Sequence, residues 1–190
     1  MRGARRFSQA ISEGDGISVL ADVTGAEAAS MAASAGAEGI VARAGVAGLR
    51  EATELPILWY GQDQAPAVEA DALVIAVDGL EADNGRLEGL YASAVETGLD
   101  CVVAVGDEDQ LQIALERLDP EIFLLAAPRG AEPLEHVLGL LPDVPAGKLA
   151  VAELEATSRE QIEDLERAGV DAVIVPAGAV ERLTGESTRQ

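Results

Sequence analysis

Two carboxylates close apolar runs: Asp22 near the end of Ile17–Val23 and Glu153 at the end of Lys148–Glu153. Side by side, such a pair can move protons, or hold Mg2+ through bridging waters. Solvated at a rim, the same pair does no chemistry. Arg43 and Arg129 follow two other runs and offer anion capture, or neutralisation of Asp22, Asp78 or Glu153. Trp59 and Tyr60 end a third run, and alternation along a strand sends one ring inward and the other outward. The inward ring would stack on a ligand or fill the space. His136 is the only histidine, with no second histidine or adjacent nucleophile, so a triad and a zinc site both lack a basis and it reads as a surface residue. No metal or cofactor is implied.

The elements that must position these residues are eight β-branched apolar runs, each followed by a helix-patterned stretch. They are Ile17–Val23, Gly39–Arg43, Pro56–Tyr60, Ala72–Val77, Cys101–Val105, Ile122–Ala126, Lys148–Glu153 and Ala172–Val175. Strands alternating with helices imply βαβ units and a parallel α/β sheet. Eight units favour closure into a minimal (β/α)8 TIM barrel, although 190 residues fall just below the usual floor of about 200 and an open doubly wound sheet fits the length more easily. The expected organisation is one domain: a leader helix and turn over 1–15, the barrel over 16–184, and a tail over 185–190.

Helices are expected over Phe7–Glu13, Thr24–Ser34, Val46–Thr53, Ala65–Ala70, Leu80–Thr97, Asp107–Leu118, Pro133–Leu141, Ser158–Ala168 and Gly178–Thr184. In such a barrel the loops after the strands carry function. A small-molecule ligand is therefore expected at the C-terminal face.

The net charge is −21. A surface that acidic repels nucleic-acid phosphates and anionic membranes, which removes both as expected partners. Cys101, the single cysteine, has no disulfide partner and reads as a small buried hydrophobe. The basic N-terminus is followed by no apolar segment, and no run reaches 18 apolar residues, so a soluble cytoplasmic protein is expected.

Arg5–Ile11 followed by Gly16–Val23 resembles the opening of indole-3-glycerol phosphate synthase, a barrel enzyme of tryptophan biosynthesis. Further echoes are Leu55–Leu58, Ala70–Ile75, Val103–Glu108 and Gly169–Val175. The resemblance implies a carbon-carbon lyase acting on a carboxyphenylamino deoxyribulose phosphate, with ring closure expelling carbon dioxide and water. It also implies two lysines at strand ends, a strand-five glutamate and a glycine-rich phosphate grip after strands seven and eight.

Carried over by position, the first-strand glutamate and lysine fall on Asp22 and Thr24, and the third-strand lysine on Tyr60, which the family register turns inward. The strand-five glutamate falls on Ala104, the sixth-strand motif keeps only Arg129, and the seventh-strand motif keeps Glu153. Threonine and tyrosine supply neither a cation nor a proton near neutral pH. Lys148, the only lysine, precedes strand seven, at the wrong end.

At the phosphate end, Glu155 joins Glu153, and Pro176-Ala177-Gly178 retains one glycine while proline removes an amide donor. Two like charges about 4 Å apart cost about 4 kcal/mol at an effective dielectric near 20. The expectation is a degenerate relative with Asp22 and Glu153 as residual acid–base candidates and Thr24, Tyr60 and Ala104 non-functional. Arg43, Tyr60, Asp78, Arg129 and Gly178 are the candidates for ligand contact at the mouth. An active lyase with altered residues and a small-molecule or protein-binding barrel are the alternatives.

Overall fold

A computed structural model describes residues 6–45, 47–61, 70–83, 85–155 and 158–185. Eight parallel strands close on themselves in sequence order: β1 (Ser18–Val23), β2 (Gly39–Ala42), β3 (Ile57–Trp59), β4 (Ala72–Ala76), β5 (Asp100–Val105), β6 (Ile122–Leu125), β7 (Leu149–Glu153) and β8 (Ala172–Pro176). The seam is a full pairing of β1 with β8, including Leu20 opposite Ile174 and Asp22 opposite Pro176. Closure excludes the open sheet. The chain is a TIM barrel trimmed to short strands and turns.

Alternation along each strand separates two cores. Leu20, Val41, Leu58, Val74, Val102, Leu124, Val151 and Ile174 point inward and fill the barrel. Their neighbours, among them Val19, Ile40, Trp59, Val103, Phe123 and Val173, point outward against the helices. Strands buried on both faces read as continuous apolar runs, which makes their positions legible.

The helices are α1 (Arg6–Ser12), α2 (Ala26–Ser34), α3 (Leu49–Ala52), α4 (Arg86–Glu96), α5 (Glu108–Arg117), α6 (Pro133–Leu140), α7 (Arg159–Ala168) and α8 (Val180–Thr184). Helix α7 begins with a capping box in which the Ser158 hydroxyl accepts from the Gln161 amide while Gln161 Oε1 accepts from the Ser158 amide. Most helices fall within one or two residues of expectation at each end, and two are much shorter. In these two stretches Val46 and Asn84 lie outside the described residues. Of the stretch over Leu80–Thr97 the described residues before Gly85 form turns and α4 follows, because Gly85 adopts φ 94°. Of that over Val46–Thr53, α3 is what forms, because Gly48 adopts φ 79°. Both are left-handed conformations that a helix interior excludes. The helix expected over Ala65–Ala70 lies, apart from Ala70, outside the described residues, as does the tail beyond Gly185.

The N-terminal end of the barrel is stoppered. Helix α1 inserts Phe7 and Ile11 into the inner core, where both are fully or almost fully buried. At this end some backbone amides at or next to the strand starts are met by side chains: acids standing at the start of neighbouring strands accept from them. Asp71 accepts from the Ile57 amide at 2.9 Å, Asp171 from Ala150 at 2.8 Å and Glu38 from Val19 at 3.3 Å. Asp100 holds the Ser8 amide of α1 at 2.8 Å. Arg50 of α3 pairs with Asp71, and Lys148 lies 2.6 Å from Asp119. Part of the acidity therefore satisfies backbone donors.

Candidate functional site

At the opposite end the inward positions are Asp22 on β1, Ala76 on β4, Ala104 on β5, Glu153 on β7 and Pro176 on β8, with Tyr60 just past β3. Arg43 leaves the end of β2 and crosses this mouth. Its Nε donates to Asp22 Oδ2 at 2.7 Å, and its Nη2 donates to Glu153 Oε1. The guanidinium carbon stands 4.2 Å from the centre of the Tyr60 ring. One side chain thus ties β1 to β7 above an aromatic floor that is itself packed on the inner core.

The electrostatics of this clasp are uneven. Burial alone would lower the Arg43 pKa, but the hydrogen bond to Asp22 and the charges of Glu153 and Asp22 outweigh it and raise it. Glu153 is raised above the ordinary carboxylate value, first by burial and further by Asp22 and Glu155, with Arg43 opposing. Tyr60 is raised by burial and by Glu153. The arginine is stabilised as a cation, while its pairing does not fully offset the burial of Glu153.

Beside the clasp is a cavity of about 580 Å3 reached from the ends of β1, β2, β7 and β8. Asp22, Thr24, Arg43, Glu153, Glu155 and Pro176 line it, with Val23, Leu154, Ile174 and Val175 as apolar wall. The structure therefore brings together Asp22, Arg43, Tyr60 and Glu153. Tyr60 turns inward, as the resemblance implied, and Trp59 faces the helices.

Arg129 and Asp78 do not join them. Each is exposed in the loop or turn after its strand and lines no part of this cavity. Gly178 lies in a 3-10 turn, Ala177–Ala179, with open space where a Cβ would stand.

His136 departs from the surface reading. It is half-buried, and its Nε2 is buried without a hydrogen-bond partner among the described residues, beside the acids that open α5. Cys101 is buried as expected, and burial, helped by Asp100, pushes its thiol up to about 11. Among the described residues no three His, Cys, Asp or Glu side chains are grouped to hold a metal ion. No helix there is long and apolar enough to cross a membrane.

Against known proteins, the chain is 34% identical over 139 residues to the indole-3-glycerol phosphate synthase of Acidithiobacillus ferrooxidans, covering 68% of this chain and 52% of that protein. The same-named protein of Salinibacter ruber is 29% identical over 145 residues, with the same coverage of both chains. The chain is a relative of indole-3-glycerol phosphate synthase. It spans about half the length of the curated synthases it matches. No protein-family model matches it.

Two solved structures share the fold. Thiamine phosphate pyrophosphorylase from Pyrococcus furiosus aligns with TM-score 0.62 at 17% identity, covering 88% of this chain and 93% of its own. N-acetylmannosamine-6-phosphate 2-epimerase from Clostridium perfringens aligns with TM-score 0.69 at 15% identity, covering 88% of each chain. Of the positions assigned by resemblance, Asp22, Thr24 and Glu153 line the cavity, Tyr60 and Ala104 belong to the inner core beneath it, and Arg129 stands apart from both.

Proposed function

We propose that this chain is a synthase-type barrel without the parent ring-closing reaction, retaining a mouth suited to binding a small molecule. The observation that carries this reading is the chemistry of the mouth. Thr24, Tyr60 and Ala104 occupy the places where the resemblance calls for two lysines and a glutamate. The chain's one lysine, Lys148, is bound to Asp119 at the opposite end of the barrel. A general acid needs a proton that it can release near the working pH. Threonine has none, and Tyr60 is moved further from neutrality rather than towards it.

The phosphate end weighs the same way. Glu153, Glu155 and Pro176 line the cavity where an anion would need amide donors. The same reading takes residues 16–184 as one barrel domain headed by the leader helix. The acidic surface also argues against nucleic acid or an anionic membrane as a partner.

Turnover of the carboxyphenylamino deoxyribulose phosphate by the full chain is the direct test, with no rate above background expected. Measurable product would favour an active lyase with altered residues. The triple variant Thr24→Lys, Tyr60→Lys and Ala104→Glu is expected to remain inactive because the acids and proline at the phosphate end are untouched. Turnover by that variant would show that this end is no obstacle.

A further inference from the structure

At the stoppered end one polar side chain stands outside the bonding pattern. Ser18, the first residue of β1, is fully buried, and its Oγ has no hydrogen-bond partner among the described residues. It shares the inward face of β1 with Leu20, two residues on. A hydroxyl taken out of water without a partner is costly, so such groups are nearly always matched by protein or by ordered water.

The turn between α1 and β1 shows where the match comes from. A Cβ added to Gly14 would stand 3.5 Å from Ser18 Oγ, 3.4 Å from the Gly16 carbonyl oxygen and 3.7 Å from Glu38 Oε1. Apart from its chain neighbours these are the three nearest atoms, and all three are oxygens. They come from the turn, from β1 and from the residue before β2. The other oxygen of the same carboxylate, Glu38 Oε2, accepts from the Val19 amide. Gly14 is not one of the glycines with positive φ, and none of the three contacts is closer than ordinary van der Waals distance. Neither backbone nor crowding therefore demands glycine there.

The donor and acceptor count selects the occupant. The Gly16 carbonyl and the Glu38 carboxylate can only accept, while the Ser18 hydroxyl has a proton to give. Water donates twice and accepts from the hydroxyl, which matches all three. A monovalent cation would take the lone pairs and leave the Ser18 proton without an acceptor.

We propose that a water molecule is bound beneath the leader turn, accepting from Ser18 Oγ and donating to the Gly16 carbonyl and to Glu38 Oε1. It fixes the second end of the leader, whose first end is held by Phe7, Ile11 and the bond from the Ser8 amide to Asp100. The site is remote from the mouth and independent of what binds there.

A crystal structure of the full chain is expected to show a water within about 3.2 Å of all three oxygens. No density there, or an anomalous peak after a rubidium soak that marks a cation instead, would overturn the proposal. Melting temperatures test the bridge by sign. Alanine in place of a glycine of compatible conformation ordinarily stabilises. Gly14→Ala is instead expected to lower Tm by about 2–4 °C, because the methyl displaces the water. Ser18→Ala is expected to lower it similarly, whereas deleting an unmatched hydroxyl would leave it unchanged or raise it. The double variant should fall no further than the less stable single one, since both remove the same bridge. A Tm at or above the parent's for either single variant, or additive losses in the double, would also overturn the proposal.

Discussion

Both ends of this barrel are ringed with acids, yet the two rings are organised in opposite ways. At the stoppered end, Glu38, Asp71, Asp100 and Asp171 each accept from a named backbone amide, and Asp71 also meets Arg50. At the mouth, Asp22 and Glu153 share a single arginine, and Glu155 has no counter-charge among the described residues. Acids bonded to backbone donors hold strands in register, while acids left over shape what the surface can bind. A single net charge therefore hides two different uses of the same residue types.

The largest effect that would sharpen this contrast lies at the stoppered end. Phe7 is fully buried in the inner core, so Phe7→Ala opens a void where α1 meets the strands. A loss of about 3–5 kcal/mol is expected in urea unfolding. A loss below about 1 kcal/mol would mean that α1 only covers the barrel. Next comes Asp71→Ala, which strands the Ile57 amide and removes the carboxylate that pairs with Arg50, leaving that arginine its bond to the Leu55 carbonyl. A loss of about 2–3 kcal/mol is expected, since a largely buried, charge-assisted acceptor is removed. If Asp71→Ala were as mild as a surface substitution, the acids at the two ends would not differ as described.

How much of this is legible in the sequence depends on what each signal encodes. The strands are readable to within one or two residues because burial on both faces leaves runs such as Ala72–Ala76 and Ile122–Leu125 almost wholly apolar. Helix lengths are overread because helix-forming side chains do not reveal the left-handed backbone at Gly48 and Gly85. At the site, pairing of Arg43 with Asp22 or Glu153 is one of the alternatives that the sequence leaves open, and strand alternation with the family register sets Tyr60 inward.

Arg129 and Asp78 look like mouth residues because they follow strands, but periodicity stops where the loop begins and says nothing of where a loop side chain points. The amide-capping acids escape a reading for chemistry, although their signal is present. Glu38, Asp71 and Asp171 each stand one residue before a buried run. At that place a carboxylate is too close to the core to be mere solvation.

The smallest effect bears on the mouth alone. Glu153 has its pKa raised in the folded chain, chiefly by burial, so the folded state binds its proton more tightly than the unfolded chain does. Its charged form is therefore a cost to folding, fully present above the folded pKa and gone below the unfolded one. Glu153→Gln keeps the shape and leaves an amide oxygen for Arg43 Nη2, which retains Asp22 through Nε. The variant is expected to be the more stable protein near pH ~7, by under about 1 kcal/mol at this partly exposed site, and the gain should shrink as pH falls toward ~4. Asp171 is also raised, but it is common to both proteins and cancels from the difference. Urea unfolding of both proteins across that range provides the measurement. A difference that stayed flat with pH, or favoured the parent at neutrality, would show that Arg43 fully offsets the burial of Glu153. The acids of the mouth would then serve the fold as fully as those of the stoppered end.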